Sequence, residues 1–95
     1  MATGQGTAII NFGTGANEAS IAVTGLTGIL ATSKAEAYVM ADDSTSDHTA
    51  NDHRYFNLLV KLTCGTPTAG TGFVIYGNCV DKINGTFTVR YVWAD

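Results

Sequence analysis

The segment Thr86-Phe87-Thr88-Val89-Arg90-Tyr91-Val92-Trp93-Ala94 decides the fold. Phe87, Val89, Tyr91 and Trp93 recur at every second position, with Thr88, Arg90 and Val92 between them. Successive side chains of a strand point to opposite faces, so this alternation gives one face of aromatic and aliphatic groups and one mixed face. A helix would space its apolar residues three and four apart. So apolar a strand is poorly suited to a bare sheet edge, where unpaired backbone groups recruit other chains. It is expected in the centre of its sheet or beneath another subunit.

The same period of two runs outward from this segment. Residues 72–78 place Phe73 and Ile75 on one face and Val74 and Tyr76 on the other. Residues 57–64 set Leu58, Val60, Leu62 and Cys64 against Lys61 and Thr63, and residues 34–40 set Ala35, Ala37 and Val39 against Tyr38 and Met40. Residues 18–24 contribute Ile21 and Val23, and residues 7–12 contribute Ala8, Ile10 and Phe12. Turn-forming residues separate these runs at 13–17, at 65–71 around the single proline, Pro67, and at 81–85. Residues 25–33 fit either a short turn of helix or an irregular crossing. The short turns between the last three strands predict a meander within one sheet. About six strands at this spacing predict an all-β fold, a six-stranded antiparallel β-sandwich of jelly-roll-like or lectin-like form. Residues 1–95 form a single domain in this reading.

Composition narrows the function classes. Charged residues make up 14% of the 95 residues, against roughly 25% in a typical globular domain. Apolar residues make up 45%, and much of the rest is Gly, Thr, Ser and Asn. Such a surface is weakly protected against self-association, and a chain this short gains stability from it. The net charge of −3, with Lys34, Arg54, Lys61, Lys82 and Arg90 scattered, disfavours nucleic acid and anionic membranes as partners. No apolar run approaches the ~18 residues that span a bilayer. The first residues lack the basic and apolar regions of a secretory signal, so synthesis in a cytosol is expected.

Residues 41–56 interrupt the pattern and hold most of the potential ligands: Asp42, Asp43, Asp47, His48, Asp52 and His53. Their spacing matches neither a zinc signature nor a calcium loop, so a solvated acidic loop, or one packed on a neighbouring subunit, is the expectation. No metal, cofactor or catalytic residue is assigned. The chain has no Gly-x-Ser-x-Gly elbow and no phosphate loop with its lysine. In a symmetric oligomer, this stretch and its apolar neighbours Met40, Tyr55 and Phe56 are expected at the interface. His48 and His53 would then lie near a symmetry axis and make assembly pH-sensitive.

Cys64 and Cys79 invite a disulfide by number. A hairpin turning near residues 67–70 puts them at opposite ends of a ladder, roughly 20 Å apart, against a Cα limit of ~7 Å. Both are expected as free thiols packed on the core. Tyr91 and Trp93 offer a possible sugar-stacking platform, but they continue the Phe87 and Val89 series, which favours core.

The stretches Leu58-x-Val60-x-Leu62-Thr63-Cys64-Gly65, Ala69-Gly70-Thr71-Gly72-Phe73-x-Ile75 and Gly85-Thr86-Phe87-x-Val89-Arg90-Tyr91-Val92-Trp93-Ala94 resemble a short β domain of bacteriophage and prophage virion proteins. Ala37-Tyr38-Val39-Met40 and Asp47-His48 fit the same pattern, so the resemblance spans about two-thirds of the chain. It implies a non-enzymatic virion component, a capsid decoration, head-fibre or tail-fibre protein. That component would be made in the host bacterial cytoplasm and assembled as a homotrimer or another symmetric oligomer with other virion proteins. Thr71-Gly72-Phe73-x-Ile75 and Val89-x-Tyr91-x-Trp93 are also similar to the last strands of the H-type lectins. That likeness implies a module for host surface glycans, although the upstream sugar-contacting motif of that family is not evident in this chain.

Overall fold

A computed structural model describes residues 3–39 and 49–95. Six strands and one helix follow in the order β1 (Thr3–Asn11), β2 (Ala16–Val23), β3 (Lys34–Val39), α1 (Ala50–Leu59), β4 (Val60–Cys64), β5 (Phe73–Ile83) and β6 (Thr86–Ala94). They form two three-stranded antiparallel sheets, β1-β6-β3 and β2-β5-β4. The all-β expectation holds, with one short helix added. Of the two places expected for it, β6 takes the centre of its sheet, and Phe87, Val89, Tyr91 and Trp93 are all buried.

The expected meander of the last three strands is not formed. β4 and β5 pair with each other, but β6 belongs to the other sheet. The cause lies at two corners. Between β1 and β2, and again between β5 and β6, the chain passes from one sheet to the other. The corners are bound together: Phe12 N–H donates to the Gly85 carbonyl at 2.9 Å, and Gly85 N–H to the Gly13 carbonyl at 3.0 Å. Gly13 and Gly85 have φ of 66° and 85°, a left-handed conformation that side chains resist and glycine accepts. Two bent ribbons, β1–β2 and β5–β6, thus run side by side and exchange sheets at the same place. Alternation along a strand fixes its faces and says nothing of which sheet it joins.

The inner face of the β1-β6-β3 sheet is matched by size across the β1–β6 ladder. The register pairs Gly4 with Trp93, Gly6 with Tyr91, Ala8 with Val89 and Ile10 with Phe87. A Cβ on Gly4 would come within 2.9 Å of three atoms of the Trp93 indole, and one on Gly6 would crowd the Tyr91 ring. The Trp93 and Tyr91 rings therefore lie over bare backbone, while Val89 faces Ala8 and Phe87 faces Ile10. Phe73 on β5 meets Tyr91 edge to face, with ring centroids 5.5 Å apart, which links this face to the other sheet. On the outer face the Arg90 guanidinium donates to the Gln5 side-chain carbonyl, fastening β6 to β1.

Residues 25–33 are an irregular crossing held by turns. Leu26 N–H donates to the Thr71 carbonyl and Gly70 N–H to the Ile29 carbonyl, both at 2.9 Å, so the crossing is tied to the loop before β5. Ile29 is buried. Ser33 Oγ accepts from Leu30 N–H and donates to Asp95, pinning the last residue of the chain.

Residues 57–59 were expected to open a strand and instead close α1. The helix begins at Thr49, whose hydroxyl accepts from Asp52 N–H at 3.2 Å while the Asp52 carboxylate accepts from Thr49 N–H at 3.0 Å. This reciprocal cap satisfies two of the donors a helix start leaves open. Leu58 fits a strand alternation with Val60 and Leu62, yet α1 turns it outward. Part of the supposed acidic loop is therefore helix.

Cys64 pairs with Ile75, and Cys79 with Val60. The register differs from the expected one by two or three residues. Both thiols are nonetheless free and half-buried against the core.

Candidate functional site

Helix α1 closes one end of the core with its inner face. Phe56 stacks on Phe87 with centroids 3.9 Å apart and planes 11° from parallel. Phe12 meets both rings edge to face. His53, three residues before Phe56, is fully buried and meets Phe87 edge to face at 5.3 Å.

His53 also completes the backbone bonding of β6. The β3–β6 ladder reaches Val39 and Val89. At the next β6 residue, Thr88 N–H donates to His53 Nε2 at 2.9 Å. A nitrogen that accepts from an N–H must present its lone pair, so the ring proton sits on Nδ1, 2.9 Å from the Thr49 carbonyl that accepts it. His53 thus joins the central strand to the cap of α1, and both of its nitrogens are engaged within the fold.

The outer face of α1 is apolar without being covered. Tyr55 is 69% exposed, Leu58 78% and Leu59 47%. Val80, 91% exposed, follows the residue paired with Val60 and so lies beside the C-terminal end of the helix. Exposed apolar residues are ordinary when scattered singly; grouped, they mark contact surfaces.

Beside this face is an open cleft of about 510 Å³. Its floor is the Phe56 and Phe87 pair, and Tyr55 and Leu59 form the helical wall. The opposite wall comes from the two corners, with Thr14 and Gly15 on one and Ile83 and Asn84 on the other. Asp52 and Lys82, of opposite charge, complete the lining. The sheet exchange at the corners therefore sets the cleft's far wall, and the capping box sets its near one.

Of the five residues expected at an interface, Met40 and His48 lie outside the described residues. His53 and Phe56 are buried in the core, and Tyr55 is on the surface. Most of the candidate ligands of residues 41–56 likewise lie outside the described residues. Among those described, no group of three or more His, Cys, Asp or Glu is placed to hold a metal. Tyr91 and Trp93 are buried and form no sugar platform. Burial pushes the Cys64 thiol up from its ordinary range, with the Glu36 carboxylate adding to it, and burial does the same to Cys79. Thiols held protonated are weak nucleophiles.

Sequence reasoning passed over Thr14 and Asn84, because residues between strands carry no periodic signal, and Lys82, an exposed position near the end of β5. The Thr49-x-x-Asp52 cap, followed by His53 and Phe56 at helical spacing, was the available sign of α1. No family model, curated protein or solved structure matches this chain.

Proposed function

We propose that this chain is a non-enzymatic assembly module, a six-stranded β-sandwich that associates with copies of itself as a surface component of a bacteriophage particle. The observation that carries the assembly claim is the exposed apolar surface outside the cleft near the C-terminal end of α1, where Leu58 is 78% and Val80 91% exposed. Low charge over the whole chain removes the usual protection against self-contact. The phage setting, on capsid, head fibre or tail fibre, rests on the likeness of the segments around β4, β5 and β6 to virion surface domains. A homotrimer or another closed symmetric oligomer buries the same face on every copy.

Light scattering of the full chain against its Leu58→Asp, Val80→Asp double variant tests this. The wild type is expected at a multiple of 9.9 kDa and the variant at 9.9 kDa. Both sites are exposed, so thermal stability of the dissociated chain should change by less than about 0.5 kcal/mol per site. A wild type that stays monodisperse at the mass of one chain, at every concentration reached, overturns the reading.

The cleft favours a second reading, a carbohydrate-binding module for host surface glycans. Aromatic groups beside a few polar ones, in an open depression at the end of the molecule, are what a sugar requires.

A further inference from the structure

We infer that the cleft between α1 and the two corners is a subsite for a neutral sugar residue at the end or along the length of a glycan; this rests on the carbohydrate-binding reading. Four observations converge. The volume of about 510 Å³ falls within the range of small-ligand sites and suits one or two sugar rings. The cleft is open on one side, which lets a longer chain continue into solvent.

The lining is amphipathic in the way a sugar is. Tyr55 presents a largely exposed ring to the cleft, a surface for the C–H face of a pyranose. Thr14 and Lys82 bring hydroxyl and ammonium groups that exchange hydrogen bonds with sugar hydroxyls. A wholly apolar ligand would strip water from Asp52 and Lys82 without replacing its hydrogen bonds.

The charges select a neutral ligand. Among the described residues one carboxylate and one ammonium line the cleft, and the chain as a whole carries −3. A sulfated, phosphorylated or sialylated ligand finds one cation offset by Asp52 and a repulsive field around it. The cleft is also held in place before any ligand arrives. Its floor is a stacked, buried aromatic pair, and its Asp52 wall is fixed by the bond to Thr49 N–H. Little ordering is left for binding to supply.

The test uses the full chain on an array of neutral and acidic oligosaccharides, followed by calorimetric titration of the best neutral hit. Wild type is expected to bind neutral glycans. Tyr55→Ala is expected to weaken binding by about tenfold or more, and Tyr55→Phe to retain most of it. Thr14→Trp, which fills the cleft from an exposed turn, should abolish binding. Tyr38→Ala removes an exposed tyrosine outside the cleft and should leave binding unchanged. Circular dichroism confirms that each variant is folded. If folded wild type binds no glycan, neutral or acidic, the carbohydrate reading and this inference both fall. Binding that survives Tyr55→Ala and Thr14→Trp overturns the cleft and leaves a glycan site elsewhere. Binding confined to acidic glycans overturns the assignment of a neutral ligand.

Discussion

Along the β1–β6 ladder, Trp93 and Tyr91 lie over Gly4 and Gly6 and are almost wholly removed from water. On α1, Tyr55, Leu58 and Leu59 are comparable in size and face solvent. The ladder closes on itself because its two largest rings, Trp93 and Tyr91, meet glycines on β1. The helix has no such complement for its outer face, because its inner face, through His53 and Phe56, already fills the end of the core. The first region concerns stability. The second leaves apolar surface over after stability is secured, and that surplus, with the adjoining cleft, is where contact with other molecules is expected.

Substitutions that strike the ladder should have the largest effects. Trp93→Ala removes a buried ring with no neighbour able to fill its place over Gly4, and a loss of about 3–5 kcal/mol is expected in urea unfolding. The reverse change, Gly4→Val, forces the indole aside and should cost about 1–3 kcal/mol. If both are nearly neutral, the size matching between β1 and β6 is wrong.

His53→Leu tests the join between the two regions. It leaves Thr88 N–H without its acceptor, at an expected cost of about 1–3 kcal/mol. Hydrogen exchange at Thr88 should accelerate in this variant well beyond exchange at Val92 in the same strand. Equal acceleration along β6 would mean that His53 acts only as bulk. Thr49→Ala removes one side of the helix cap and should cost about 1 kcal/mol, read as a lower melting temperature. Loss of helical circular dichroism before loss of the sheet signal would show that α1 detaches on its own.

The thiols provide the smallest effect. The folded pKa of Cys64 and of Cys79 is raised, so folding favours the protonated form. Their contribution to stability is complete below the ordinary thiol pKa of about 8.5 and is lost as pH rises through the raised values. Labelling by a disulfide reagent should begin at higher pH in the native chain than in urea. Coincident profiles would contradict the burial of both side chains.

The ladder was partly legible in the sequence. Phe87, Val89, Tyr91 and Trp93 declare a buried strand face by themselves, and so do Ala8, Ile10 and Phe12. Gly4 and Gly6 carry no apolar signal, so the first half of β1 becomes readable only when its partners are known. The helix end was less legible for a physical reason. Leu58, Val60 and Leu62 alternate as a strand would, although a helix ends between the first and second of them. Nothing in Asn84-Gly85 distinguishes a hairpin within one sheet from a corner between two. The cleft was hidden with the corner, since its far wall exists only because both ribbons bend at the same point.

The central claim is that the exposed face of α1, with Val80 beside it, meets a second copy while the outer face of the β1-β6-β3 sheet stays in water. Hydroxyl-radical footprinting of the wild type at high and low concentration tests it, with Ile9 and Tyr38, half-exposed on the outer face of the β1-β6-β3 sheet, as internal references. Labelling of Leu58 and Val80 is expected to fall as concentration rises, while labelling of Ile9 and Tyr38 stays constant. Unchanged labelling of the helix face, or protection of the sheet face in its place, would contradict the account.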